Sequence, residues 1–108
     1  MQIKIQDMIQ NFTRIKLLNA GYEFFPVLIN SPYDEVCTKV ITDSEGNVKY
    51  YIHVYTTFLY DGSSSVYVES TFCFDGSTKI RIAKNAKDIL NIQEAEDLFE
   101  KLYKKYGE

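Results

Sequence analysis

Val48-Lys-Tyr-Tyr-Ile-His-Val-Tyr-Thr-Thr-Phe-Leu-Tyr60, then Asp61-Gly62-Ser63-Ser64, then Val66-Tyr-Val-Glu-Ser-Thr-Phe-Cys-Phe74 is the stretch that decides the fold. β-branched and aromatic residues fill both runs, and a glycine-containing polar turn separates them, which predicts an antiparallel hairpin. Strand side chains alternate between two faces. Val48, Tyr50, Ile52, Val54, Thr56 and Phe58 therefore share one face with Val66, Val68, Ser70, Phe72 and Phe74, and this is the expected core side. Lys49, Tyr51, His53, Tyr55 and Thr57 share the other with Tyr67, Glu69, Thr71 and Cys73. Val54 to Ser63 echoes Val68 to Ser77 at an offset of 14 residues. An even offset keeps matching residues on one face, so the echo reads as two strands built alike.

Working outward, Asp75-Gly76 signals a tight turn into a fifth strand over Thr78 to Ala83, whose Ile80 and Ile82 join the core face. Upstream, Glu35 to Thr42 reads as a strand joined to Val48 by the loop Asp43-Ser44-Glu45-Gly46-Asn47. Tyr22 to Ile29 is aromatic and branched, but Pro26 restricts it to an edge or a bulge. Asn30-Ser31-Pro32 marks a turn.

Helices close both ends. Asp7 with Gln10 fits a capping box, Gly21 suits the left-handed position after a helix, and Ile5, Met8, Phe12 and Ile15 form its apolar stripe. At the other end Asn91 and Glu94 make a capping pattern and Gly107 ends the segment. Ile92, Ala95, Leu98, Phe99, Leu102, Tyr103 and Tyr106 form the apolar face, with Glu94, Asp97, Glu100, Lys101, Lys104 and Lys105 opposite. A short helical turn is expected over Ala86 to Leu90. The order predicts a single α+β domain over residues 1–108: an antiparallel β-meander of four to five strands packed on an N-terminal and a C-terminal helix.

The 108 residues carry 12 Lys plus Arg against 15 Asp plus Glu, a net charge of -3, with 45% hydrophobic and 15% aromatic residues. That composition excludes a disordered chain. No apolar run approaches the roughly 20 residues of a membrane helix. Met1 to Gln10 does not read as a signal peptide, so Cys37 and Cys73 are expected as reduced thiols in a cytoplasmic protein, with no membrane partner. The acidic balance argues against a general nucleic-acid binder. It is concentrated between residues 21 and 47, where Glu23, Asp34, Glu35, Asp43 and Glu45 face Lys39 alone, a net of -4.

Specific chemistry is sparse. Two cysteines and one histidine at wide spacing make no zinc pattern, and the Asp43 loop would carry Val54 where a calcium loop needs Glu. The Ser-Gly loops sit between strands rather than opening a helix, which a phosphate cradle requires. His53 is the only candidate base, so no triad can be assembled, and its one catalytic option is a thiolate pair with Cys73 or Cys37. No cofactor or metal site is expected, and the chain is read as not an enzyme.

What remains is the second sheet face, with Tyr51, Tyr55 and Tyr67 beside His53, Lys49, Lys79 and Arg81. Tyrosine supplies binding area at low entropic cost. In size, acidity and lack of motifs the chain resembles the small phage-encoded inhibitors of the anti-CRISPR kind, and also toxin-immunity proteins. That resemblance implies a small binding module acting by stoichiometric protein–protein contact. Its partner would carry a basic surface, met by Glu23, Asp34, Glu35, Asp43 and Glu45 together with Tyr51, His53, Tyr55 and Tyr67. The alternative is single-stranded nucleic acid stacked on the tyrosines and held by Lys49, Lys79 and Arg81. The oligomeric state is left open by the sequence.

Overall fold

The computed structural model describes the backbone of residues 12–61, 64–74, 78–85 and 91–107, and their side chains except Ser64 and residues 78–85. Strands β1 (Glu23–Phe25), β2 (Glu35–Thr42), β3 (Val48–Phe58), β4 (Ser64–Phe74) and β5 (Thr78–Asn85) form one five-stranded sheet in chain order. Every neighbouring pair is antiparallel. Helices α1 (Arg14–Asn19) and α2 (Ile92–Tyr106) precede and follow it, giving the expected α+β meander. The Asp7 cap, Met8, the turns at 62–63 and 75–77, and the helical turn over 86–90 lie outside the described residues.

Helix α1 is fixed by its ends. The Thr13 hydroxyl accepts from the Lys16 N–H at 3.4 Å. At the other end the Gly21 N–H donates to Leu18 O at 3.1 Å and the Tyr22 N–H to Leu17 O at 3.0 Å. Those two bonds make a Schellman motif, which needs the left-handed backbone that Gly21 adopts at φ 95°. The motif brings Leu17 and Tyr22 together, and both are buried in the core. This corrects the expected stripe: Ile15 is 70% exposed and Leu17 is the inward residue. A helix of 6 residues takes its orientation from its anchored end rather than from a long periodic face.

β1 stops at Phe25, one residue before Pro26, which has no N–H to give a ladder. Val27 to Ile29, expected in the strand, instead leave the sheet. β3 ends at Phe58 rather than Tyr60, and Phe58 is exposed.

The core face is as alternation predicts through the middle of β3 and β4: Tyr50, Ile52, Val54, Val66, Val68 and Phe72 are buried with Cys37 of β2. The echoed Val54 and Val68 are direct cross-strand partners. α2 covers this layer with Ile92, Ala95 and Phe99. Tyr103 extends the contact, its ring 5.4 Å from Tyr50, 5.7 Å from Phe72 and 5.1 Å from Phe74. The helix begins at Asn91, whose side chain accepts from the Glu94 N–H at 2.8 Å.

Glu100, expected on the solvent side of α2, instead turns to the sheet. It accepts from Lys49 Nζ and from the Tyr50 hydroxyl, each at 2.7 Å. One turn earlier Glu96 pairs with Lys39 of β2. Two carboxylates four residues apart thus clamp one helix edge onto two strands. The Lys49 and Tyr50 bonds hold the Glu100 carboxyl below its ordinary range. Burial, reinforced by Glu100, pushes the Tyr50 hydroxyl up.

Two expectations follow for stability. Phe99→Ala empties the centre of the helix–sheet layer and should cost about 3–5 kcal/mol in urea unfolding. Glu100 is depressed in the folded state, so its contribution is present above its unfolded pKa and is lost as pH falls through the folded value. Glu100→Gln should therefore cost about 1 kcal/mol at neutral pH, with the gap to wild type closing as pH falls below the ordinary carboxylate range. A pH-independent gap would show that the bonds to Lys49 and Tyr50 do not depend on the carboxylate charge.

Candidate functional site

Both described helices contribute to the core on one side of the sheet, and no described helix covers the other side. Register fixes what this second face presents. One row runs Phe25, Val36, Tyr55, Tyr67 across four strands. The next runs Glu23, Thr38, His53, Glu69. A third runs Val40, Tyr51, Thr71. Polar and aromatic side chains thus fill the centre, while the two exposed apolar members, Phe25 and Val40, lie on β1 and β2 at the rim.

The aromatic side chains touch. Tyr55 lies 5.9 Å from Tyr67 and 6.2 Å from His53, and His53 stacks against Tyr51 at 6.1 Å. A fifth ring, Tyr33, closes on Tyr55 at 4.7 Å from the loop before β2. Spacings of this size are attractive for offset or tilted rings. Tyr33 escaped the sequence reading for a definite reason. Counting back by twos from Glu35 puts it on the helix side, but the backbone bends at Asp34 and resets the parity.

Hydrogen bonds order the polar row. Thr38 Oγ1 and His53 Nδ1 are 2.9 Å apart. The Tyr55 hydroxyl reaches Glu69 Oε1 at 3.5 Å, a long contact. Glu69 is only 6% exposed although it belongs to the face that no described helix covers. Tyr67 and Thr71 flank it along β4, and His53 lies opposite it on β3. A carboxylate in that position needs polar partners, and His53 directly opposite and Tyr55 on the diagonal are placed to supply them.

The cations expected on this face are not all there. Thr42 pairs with Val48 and Ile41 with Tyr50, so Lys49 is the extra residue of a β-bulge. The bulge redirects it to the helix side, against Glu100 and 5.1 Å from the Tyr103 ring. The side chains of Lys79 and Arg81 lie outside the described residues.

The acidic residues do not gather into one patch. Asp34 and Glu35 sit at one end of β2, Asp43 and Glu45 beyond the other, about 24 Å away by strand rise. Asp34 is a structural tie: its carboxylate accepts from the Phe58 N–H at 2.6 Å and its own N–H donates to Thr56 O at 2.8 Å. Glu35 pairs with Arg14 at 2.7 Å. The Asp43 carboxylate accepts from the Asn47 and Glu45 N–H groups, both at 2.9 Å, and these bonds hold it below the ordinary carboxylate range. Glu45 and Glu23 are exposed, and Glu23 borders the polar row.

The thiols are also apart. Cys37 is on the helix side and His53 on the other, so the two do not meet. Cys73 lies four residues beyond Glu69 along β4, about 13 Å from the His53 position. Among the described residues no cluster of His, Cys, Asp and Glu could hold a metal ion, and no helix is long and apolar enough to cross a membrane. Burial pushes the Cys37 thiol up to about 12. In the folded protein a maleimide at pH 7 should therefore label Cys73 and spare Cys37, which should react only in denaturant. Peptide mass mapping reads the difference, and labelling of native Cys37 would contradict its burial.

Comparison with models of protein families, with curated proteins and with solved structures finds no match for this chain.

Proposed function

We propose that this chain is a small binding module that acts by stoichiometric contact with another protein, through the sheet face that no described helix covers. The observation that carries the reading is the layer of Tyr33, Tyr51, His53, Tyr55 and Tyr67, packed ring against ring across three adjoining segments. Rings held by their neighbours lose little freedom on binding, and each offers an apolar body with a polar tip. The reading accommodates an inhibitor of the anti-CRISPR kind or an immunity-type protein. Recognition of a basic surface by the five carboxylates together draws less support, because Asp34, Glu35 and Asp43 are engaged locally and lie at opposite ends of β2. Contact by aromatic area, with Glu23 at its margin, fits the geometry better than contact by a charged patch.

Single-stranded nucleic acid on the same tyrosines is the weaker reading. Lys49 is turned away to Glu100, and the described face carries Glu23 and Glu69 among its rings. A phosphate backbone needs cations beside the stacking platform.

The test is retention of a partner from host lysate on the tagged protein, with nuclease present. Tyr51→Ala with Tyr67→Ala should lower retention of the captured protein at least tenfold, since each aromatic anchor contributes about 1–2 kcal/mol. Asp43→Lys with Glu45→Lys, at the far hairpin, should leave it unchanged. Equal retention by the tyrosine variant removes the proposal. Capture that disappears with nuclease, with oligonucleotide affinity falling steeply in salt, transfers the face to nucleic acid.

A further inference from the structure

A second surface lies at one end of the sheet. The β1–β2 connection exposes Phe25, Leu28 and Ile29, and the β3–β4 hairpin exposes Phe58, Leu59 and Tyr60. Pairing of Glu35 with Thr56 puts both segments at the same end. They are tied there by the Asp34 carboxylate on the Phe58 N–H and by the Thr57 hydroxyl on Pro32 O at 3.4 Å. The Ser31 N–H donates to Leu28 O at 2.9 Å, closing a turn with Ile29 at its first central position. Turns ordinarily carry Pro, Asn, Asp, Ser or Gly there. Here Leu28 is 83% and Ile29 100% exposed, so the turn presents a projecting apolar pair.

Beside that projection is a groove of about 410 Å³ lined by Pro26, Val27, Leu28, Tyr33, Val36 and Tyr55, among others. No charged residue lines it. The knob and much of the groove lining come from the β1–β2 connection, with Val36 and Tyr55 added from β2 and β3, so a two-fold axis beside the loop can set each copy's knob against the other's groove. Asp34 and Glu35, the carboxylates at this end of β2, are held by Phe58 N–H and Arg14. Taking about 200 Å² for a fully exposed large side chain, the six residues expose roughly 850 Å² per copy, close to the ~800 Å² per partner of a standard interface. Monomers rarely leave that much contiguous apolar surface open.

We propose that the chain self-associates as a two-fold dimer, with Leu28 and Ile29 of each copy seated in the groove of the other. The groove shares Tyr33 and Tyr55 with the proposed partner face, but Tyr51 and Tyr67, whose replacement tests that face, do not line it, so the two tests can fail separately. An interface at the small end of the specific range should give a Kd on the order of 10 µM.

Sedimentation equilibrium over a concentration series tests it. The mass of the wild type should rise from 12.6 kDa towards twice that value. Ile29→Asp should hold the protein at monomer mass across the series with an unchanged Tm, because a fully exposed side chain contributes nothing to the core. Ile15→Asp, exposed on α1, should dimerise like wild type. A wild type that stays at 12.6 kDa up to about 1 mM, far above the expected Kd, overturns the proposal and leaves the apolar end to a different protein. Dimerisation of Ile29→Asp at wild-type strength, or equal loss in Ile15→Asp, overturns it as well.

Discussion

Among the described residues one long helix, α2, lies over a five-stranded sheet, and the packing around it answers to that constraint. Phe99, with no exposed surface, sits with Ala95 and Ile92 in the layer that buries Tyr50, Ile52, Val54, Val68 and Phe72. A helix about 10 Å wide spans two strands at a spacing of roughly 4.8 Å, so α2 seals the centre and leaves the flanks to others. On the β1–β2 side the work falls to α1, whose Schellman turn drives Leu17 and Tyr22 inward. On the helix edge it falls to Glu96 and Glu100, which fasten Lys39 and Lys49 with their ammonium groups over the rings of Tyr22, Tyr50 and Tyr103.

No described helix covers the second face, which is stabilised differently. An open sheet face would ordinarily be solvated, with side chains that ignore one another. Here tyrosines contact across strands, Thr38 meets the His53 ring, and Glu69 is buried. Such a layer is ordered without being closed, which suits a surface that must keep its shape until a partner arrives. The Lys49 bulge serves both sides at once. It removes a flexible cation from the aromatic face and delivers it to Glu100, where two rings and a carboxylate surround it.

Most of the architecture was legible because period-two alternation and turn chemistry are local signals. Asp43 and Gly46 mark the β2–β3 hairpin in the sequence, and in the structure Asp43 accepts two N–H bonds while Gly46 takes φ 88°. Alternation failed where the backbone departs from regular pleating. The bulge flipped Lys49, the bend at Asp34 flipped Tyr33, and Pro26 ended β1 five residues into an eight-residue expectation. The burial of Glu69 was not legible either, because alternation assigns it to the face opposite the core. For the site, grouping Tyr51, His53, Tyr55 and Tyr67 required only parity and register. Grouping the five carboxylates rested on nearness in sequence, which an extended strand converts into distance.

The two apolar surfaces differ in a way that separates their roles. The tyrosine face is half-buried and internally bonded, so a partner gains contact with groups already held in place. The end carrying Leu28, Ile29 and Tyr60 is fully exposed and makes its contacts through side chains that project. Exposed aliphatic groups gain most from simple removal of water and ask little of the opposing surface beyond shape. In the proposed dimer a copy of the same groove would supply that shape. Tyr55 belongs to both surfaces, touching Tyr67 on one side and lining the groove on the other. Pairing of two copies would therefore press on the rim of the aromatic layer, fixing Tyr33 and Tyr55 while leaving Tyr51, His53 and Tyr67 to face outward. The shared ring makes each contact a support for the other rather than a competitor.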